Sequence, residues 1–292
     1  MAFGPLGNRD FVVKLVLFVA DFWKDELDGG AENNDYNLIS YLSDYFDMRG
    51  CNTFNMSTEL VDKADFLIIS NFMHLSQEIK QYIQDNKPYI IYEHDHKYLL
   101  NKDPSVYVDY IIPKDQIINK DFYIGARKVF VLSKICKDIL NKNIPKVKAV
   151  SIGCSIWSNN TFDYIEKLLK ETEKSDDLCI LKSSNPVKNY GKSLEYCEQH
   201  NIIPLELSDP NYRAFLKKMA SCKRFLFIPG VLETFSRVCA EAKMLNLSLL
   251  TSPNRLGFAS EEIFNLSGID LILALKQRSS RALELFKEEI EL

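Results

Sequence analysis

Nine short apolar runs punctuate this chain, and several are continuous rather than alternating. They fall at residues 12–19, 66–70, 89–92, 128–132, 149–152, 179–182, 204–207, 224–228 and 248–251. A strand with one wet face alternates apolar and polar residues, whereas a strand buried on both faces does not. Between the runs, apolar residues recur at helical spacing, as in Tyr36, Ile39, Leu42 and Phe46, or Leu75, Ile79 and Ile83. Strand–helix repetition of this kind predicts an α/β fold with parallel sheets covered by helices on both faces.

Nine strands are many for one parallel sheet, and 292 residues suit two domains. The polar stretch 155–161 (Ser-Ile-Trp-Ser-Asn-Asn-Thr) interrupts the pattern after Gly153. The expected organisation is therefore a Rossmann-like domain over 1–156 and a second one over 157–278. A charged amphipathic helix over 279–292 would cap the second domain or cross back to the first. On its polar composition, the stretch 155–161 would be a hinge between the two.

Composition narrows the chemistry. Lys and Arg number 36 against 40 Asp and Glu, a net charge of −4, which argues against a surface that coats nucleic acid. The seven cysteines form no Cys-x-x-Cys pair, which argues against a disulfide framework or a zinc knuckle and fits a reducing compartment. The apolar run 11–20 is broken by Lys14 and is too short to span a bilayer. A cytoplasmic protein without a transmembrane segment is expected.

Two familiar motifs fail. No Gly-x-Gly occurs anywhere, so a dinucleotide fingerprint is absent, and no Asp-x-Asp supplies a carboxylate pair for a divalent metal. The segment 186–193 mimics a P-loop with its first glycine replaced by Pro186, which has no N–H to turn toward a phosphate. Its Lys188 and Lys192 can still meet phosphate as point charges. His94-Asp95-His96 lies at a strand end. Gly29 and Gly30 lie between a strand and a helix, at the carboxyl edge where parallel sheets bind ligands.

The most informative stretch is 224–242, where a buried strand ends at Pro229, a loop carries Glu233, and a helix begins near Thr234–Ser236. Eight residues on, Glu241 lies about 12 Å away at 1.5 Å per residue if the helix holds. Two carboxylates that far apart suit two ends of one extended ligand. The free N–H groups of the helix start between them suit a diphosphate.

On these residues the chain resembles the large group-1 family of retaining GT-B glycosyltransferases. Pro229, Glu233, Phe235, Glu241 and Ala242 match that family's Glu-x7-Glu signature. Gly29-Gly30-Ala31-Glu32 resembles its glycine-rich first loop, and His94-Asp95 its strand-end His-Asp. Lys182 and Lys188 fall where the family places an Arg and a Lys on the donor diphosphate. Thr234 and Ser236 depart from it, standing where the family commonly has glycine, although either could cap the helix.

The resemblance implies a GT-B fold, two Rossmann-like domains facing a cleft, and retaining transfer of a sugar from a UDP- or GDP-linked donor to an acceptor such as a glycan or a lipid-linked saccharide. By the same resemblance, Glu241 would hold the donor ribose and Glu233 the sugar hydroxyls. Lys182, Lys188 and the amides of Thr234, Phe235 and Ser236 would hold the diphosphate, with Gly29 and Gly30 facing it. His94 would lie by the anomeric carbon. No metal or other cofactor is expected, and nucleic acid is not an expected partner. The alternatives are another GT-B enzyme, such as a sugar-nucleotide epimerase, and a non-catalytic nucleotide-sugar-binding protein.

Overall fold

The computed structural model describes residues 13–26 and 29–292. The first unit runs β1 (Leu15–Ala20), α1 (Gly30–Leu42), β2 (Asp47–Asn52), α2 (Thr58–Lys63), β3 (Phe66–Ile69), α3 (Gln77–Asn86), β4 (Tyr89–Glu93), α4 (Lys120–Gly125), β5 (Val129–Val131), α5 (Lys134–Asn143) and β6 (Ala149–Ser151). The second runs α6 (Asn159–Glu171), β7 (Ser175–Leu181), α7 (Tyr190–Gln199), β8 (Leu205–Leu207), α8 (Tyr212–Ala220), β9 (Cys222–Phe227), α9 (Arg237–Met244) and β10 (Ser248–Thr251), followed by α10 (Gly268–Glu291). The strands form a six-stranded sheet in the order β2-β1-β3-β4-β5-β6 and a four-stranded sheet in the order β10-β9-β7-β8. Every pairing is parallel.

Continuous apolar runs become central strands. All four residues of β3 and all five of β4 are buried, as strands covered by helices on both faces must be. Helix starts follow capping chemistry: Ser57, Ser76, Ser158 and Asn211 each accept from a backbone N–H three residues ahead. Val12, part of the first predicted strand, lies outside the described residues.

The pattern misses β2. Its sequence, Asp-Met-Arg-Gly-Cys-Asn, shows no apolar run because it is an edge strand with one neighbour and little to bury. The 155–161 segment is more buried than its polar composition suggests. Ser155, Ile156 and Trp157 are buried, and Ile156 is held from both sides. Its N–H donates to Asn34 Oδ1 at 2.7 Å, and its carbonyl accepts from Asn37 and from Arg237. A polar-looking stretch is thus a buried crossover, because one tryptophan and an isoleucine find a core that its neighbours in sequence do not announce.

Helix α10 begins at Gly268, not at residue 279, and 24 residues at 1.5 Å each span about 36 Å. It starts on α6 and α9 of the second unit and ends on the first. There Phe286 packs on Tyr92 and Phe130, Lys14 Nζ donates to the Ile290 carbonyl, and Glu289 faces Arg127 and Lys128. The two units therefore share one continuous apolar core across this helix. Among the described residues, no helix is long and apolar enough to cross a membrane.

Candidate active site

A cavity of about 320 Å³ opens where the two units face each other. Gly29, Gly30, Asn34 and Ser155 line one wall, and Lys188, Tyr212, Glu233, Arg237 and Glu241 line the other. The segment 233–236 and the first turn of α9 form its floor.

Glu233 is positioned by backbone. Its N–H donates to Arg255 O at 3.0 Å and its carbonyl accepts from Gly257 N at 2.8 Å, a one-residue parallel bridge between two loops. Gly257 is required here, since a Cβ would collide with the Thr234 carbonyl. The Glu233 carboxylate receives Lys188 Nζ on both oxygens, at 2.8 and 3.0 Å. Burial works against the Lys188 charge, but Glu233 outweighs it and lifts the lysine above its ordinary pKa. Lys188 is therefore a firmly charged cation at the cavity wall. It sits at the end of the 3-10 turn Pro186–Lys188, so the P-loop look-alike supplies one charge and no phosphate cradle.

Glu241, one turn into α9, is 2% exposed. Its Oε1 accepts from Tyr212 O–H at 2.6 Å and Trp157 Nε1 at 3.0 Å, and Arg237 Nε lies 3.8 Å away. Burial, then Glu241, pushes the Tyr212 phenol well above its usual range, so Tyr212 is a fixed donor. Arg237 stacks on the Trp157 ring at 4.6 Å and donates to Asn34 Oδ1 at 3.2 Å. The N–H groups in the first turn of α9 lack intrahelical partners and carry the positive end of the helix dipole. With Lys188 and Arg237 they bring cationic and amide N–H donors to this floor.

Ser236, at the N-cap of α9, has φ 77° and ψ 84° and makes no side-chain cap bond. Glycine adopts that conformation at little cost, which accounts for glycine at this position in the family the sequence resembles. Phe235 is buried against Trp157 and Phe258 and borders the cavity floor. Thr234 Oγ1 crosses the cleft to donate to the His94 carbonyl at 2.7 Å.

Two predicted site residues do not reach the cavity. Lys182 pairs with Glu206 at 2.6 Å, with its side chain 53% exposed. Its neighbours Leu181 and Ser183 line the cavity instead. Successive side chains at a strand end point to opposite faces, so Lys182 turns outward. The His94 ring is also buried away from the cavity lining, its Nε2 2.9 Å from Asp35 Oδ1. His94 meets the second unit through its backbone carbonyl.

Beneath this floor lies a buried charge network. Glu93 Oε1 accepts from Lys97 Nζ at 2.9 Å and from Asp95 N at 2.8 Å, and the other oxygen accepts from Tyr123 O–H. Burial alone would raise the Glu93 carboxyl, but Lys97 and these hydrogen bonds hold it at about 2.

Glu32 shows the opposite balance. Its carboxylate packs beside Gly29, where a Cβ would collide with it, and accepts a long hydrogen bond from Asn71. Burial lifts its pKa to about 6, with Asp35 and Asp95 adding to the rise and His94 opposing it. A raised carboxyl binds its proton more tightly in the folded state, so its contribution is full below about pH 4.5 and is lost as pH rises through about 6. The Glu32→Gln variant is expected to match wild type at low pH and to exceed it by about 2 kcal/mol above neutrality, at 1.36 kcal/mol per unit. Urea denaturation across that range checks it. An equal difference at both ends would mean that ionisation of Glu32 is not the cause.

Sequence reasoning did not single out Arg237, Tyr212 or Asn34 for the site. Arg237 lay inside the quoted motif and its charge was the available signal. Tyr212 starts α8, distant in sequence from both glutamates, and no local pattern marks it.

The sequence matches no protein-family model and no curated protein sequence. Solved structures do resemble it. HepE from Anabaena, in complex with UDP and glucose, superposes with a TM-score of 0.51 at 13% identity, over 95% of this chain and 92% of that one. The UDP-N-acetylglucosamine 2-epimerase of Rickettsia bellii superposes with a TM-score of 0.55 at 10% identity, over 96% of this chain and 97% of that one. With two parallel α/β units facing a cleft, and these neighbours over nearly its whole length, the chain has the GT-B fold.

Proposed function

We propose that the chain is a retaining glycosyltransferase that moves a sugar from a UDP-linked donor to an acceptor hydroxyl without a metal. The observation that carries this is the cavity itself. Glu233 with Lys188, the N-terminus of α9 with Arg237, and Glu241 with Tyr212 on one cavity match a sugar, a diphosphate and a ribose in that order. Preorganised cations and amide dipoles at the diphosphate stabilise the charge that develops on the leaving group, the largest electrostatic demand of such a transfer. Glu241 presents a carboxylate oxygen suited to ribose hydroxyls, and Glu233 one suited to sugar hydroxyls. UDP is the favoured donor nucleotide because HepE was solved with UDP and the Rickettsia enzyme is named for a UDP-sugar.

The test is thermal stabilisation by UDP, GDP and ADP with EDTA present. A ligand at 100 times its dissociation constant adds about 2.7 kcal/mol of stability. Stabilisation by UDP in EDTA is the expected result, and a shift that requires added divalent metal would remove the metal-independent reading. Incubation with UDP-glucose should then release UDP, and the anomeric configuration of the product, read by NMR, decides retention. A second reading, epimerisation of a UDP-sugar, is favoured by the similarity to the Rickettsia epimerase, and interconversion of UDP-N-acetylhexosamines without an acceptor would select it.

A further inference from the structure

In the six-stranded sheet the chain leaves β1 for β2 on one side and returns to β3 on the other. The carboxyl ends of β1 and β3 are therefore its switch point, where open parallel sheets leave a crevice for ligands. The loops leaving β1, β2 and β3 bring Phe22, Phe54 and His74 together there. The Phe54 and His74 rings stack with centroids 4.5 Å apart and an interplanar angle of 26°. Phe22 meets His74 edge-on at 6.4 Å. These rings are open to solvent: Phe54 is 61% exposed and Phe22 41%.

This surface is held rigid from beneath by one buried carboxylate. Asp21 accepts from Thr53 O–H at 2.6 Å, Met73 N at 2.9 Å and His74 N at 3.2 Å, so one side chain ties all three loops together. At its edge Trp23 Nε1 donates to Asn52 Oδ1, and Asn52 donates to Glu26. The exposed, preorganised stack of Phe54 on His74, framed by Asn52 and Glu26, suits a neutral ligand with one apolar face and outward hydroxyls. The acidic edge disfavours a phosphate or an anionic headgroup. Glu32 joins this surface to the cavity. One carboxylate oxygen packs beside Gly29 in the cavity wall, and the other accepts from Asn71, two residues before Met73.

We propose that Phe22, Phe54 and His74 form the acceptor subsite, and that the acceptor is a saccharide whose ring lies on this aromatic surface. The assignment rests on the transfer reading above. It names the acceptor class and extends the site to residues outside the donor cavity.

Saturation-transfer NMR on the full chain tests it with a panel of methyl glucosides, galactosides, mannosides and N-acetylglucosaminides. At least one should receive saturation, strongest at the protons of one ring face. Phe54→Ala should weaken its binding about tenfold. Phe54→Trp should restore it, and Val108→Ala, at an exposed apolar position elsewhere, should leave it intact. UDP titration on each variant reports whether the donor pocket survives. UDP binding with no transfer to any glycoside, or with equal transfer in wild type and Phe54→Ala, overturns the acceptor subsite and leaves the donor reading standing. Glycoside binding by a chain that binds no UDP overturns the acceptor role together with that reading.

Discussion

Glu241→Gln is expected to weaken UDP binding by about 10- to 100-fold, the worth of a hydrogen bond to a charged group, while leaving the fold in place. Glu241 has two tasks in one side chain. It is the acceptor for Tyr212 and Trp157, and it borders the cavity beside the start of α9. Glutamine keeps an acceptor oxygen for both donors, while it removes the charge beside Arg237 and turns the other oxygen into an NH2 donor, so the melting temperature without ligand should move far less than in Glu241→Ala. Glu241→Ala should abolish the UDP-induced shift altogether. It should also lower stability in the absence of ligand, because two buried donors lose their acceptor at about 1–3 kcal/mol each. Isothermal titration of both variants separates the tasks. Unchanged UDP affinity in Glu241→Gln would remove Glu241 from the nucleotide site and leave it a structural hub.

Lys97→Met is expected to cost about 3–5 kcal/mol of folding stability, the usual consequence of breaking a buried ion pair from one side. Lys97 is fully buried, and its loss leaves the Glu93 carboxylate, 1% exposed, with only Tyr123 and backbone amides. The pH dependence carries the diagnosis. In the wild type Glu93 titrates near 2, below its ordinary 4.5, so its contribution is complete above about pH 4.5 and is lost as pH falls toward 2. That shift corresponds to about 3 kcal/mol at 1.36 kcal/mol per unit, of the same size as the cost of losing the lysine. In Lys97→Met burial acts without its counterweight, so the carboxyl should rise above 4.5 and this contribution should reverse its slope. The variant should recover stability relative to wild type as pH is lowered from neutral to about 4. Urea midpoints at the two pH values decide it. A pH-independent deficit would mean that the cost is the lost lysine side chain itself, including its ammonium over the Phe72 ring, not the stranded charge.

The acceptor surface and the donor cavity share a structural logic. Both lie at the carboxyl ends of parallel strands, and in both hydrogen bonds fix the loops that carry the exposed side chains. Asp21 ties the loops that carry the exposed rings, and the Glu233–Leu256 bridge ties the loop that carries the catalytic candidate. Such loops can hold functional side chains in place at the ends of a rigid sheet.

The elements legible in the sequence were those whose pattern is local. Phe66–Ile69 and Tyr89–Glu93 are apolar at nearly every position and could only be buried strands. The spacing of Glu233 and Glu241 across a strand–loop–helix unit put both on one cavity. Where the pattern is not local, it gave no warning. Edge strand β2 has too little to bury to look like a strand. Trp157 buries a stretch that reads as a hinge. Lys182 faces Glu206, because strand parity at the end of β7, and not its distance from Lys188, sets its direction.

Sequence by itself therefore determined the α/β alternation, the two-sheet architecture and the strand–loop–helix unit carrying both glutamates. Each follows from the side-chain period of a strand or helix, which a dozen consecutive residues are enough to display. Only the tertiary structure decided that Tyr212 and Trp157 hold Glu241, that the His94 ring turns to Asp35, and that Phe22, Phe54 and His74 meet on one surface. Those contacts join residues that belong to different elements. Their meeting depends on strand order and on which loops share a sheet edge, and no local periodicity encodes either.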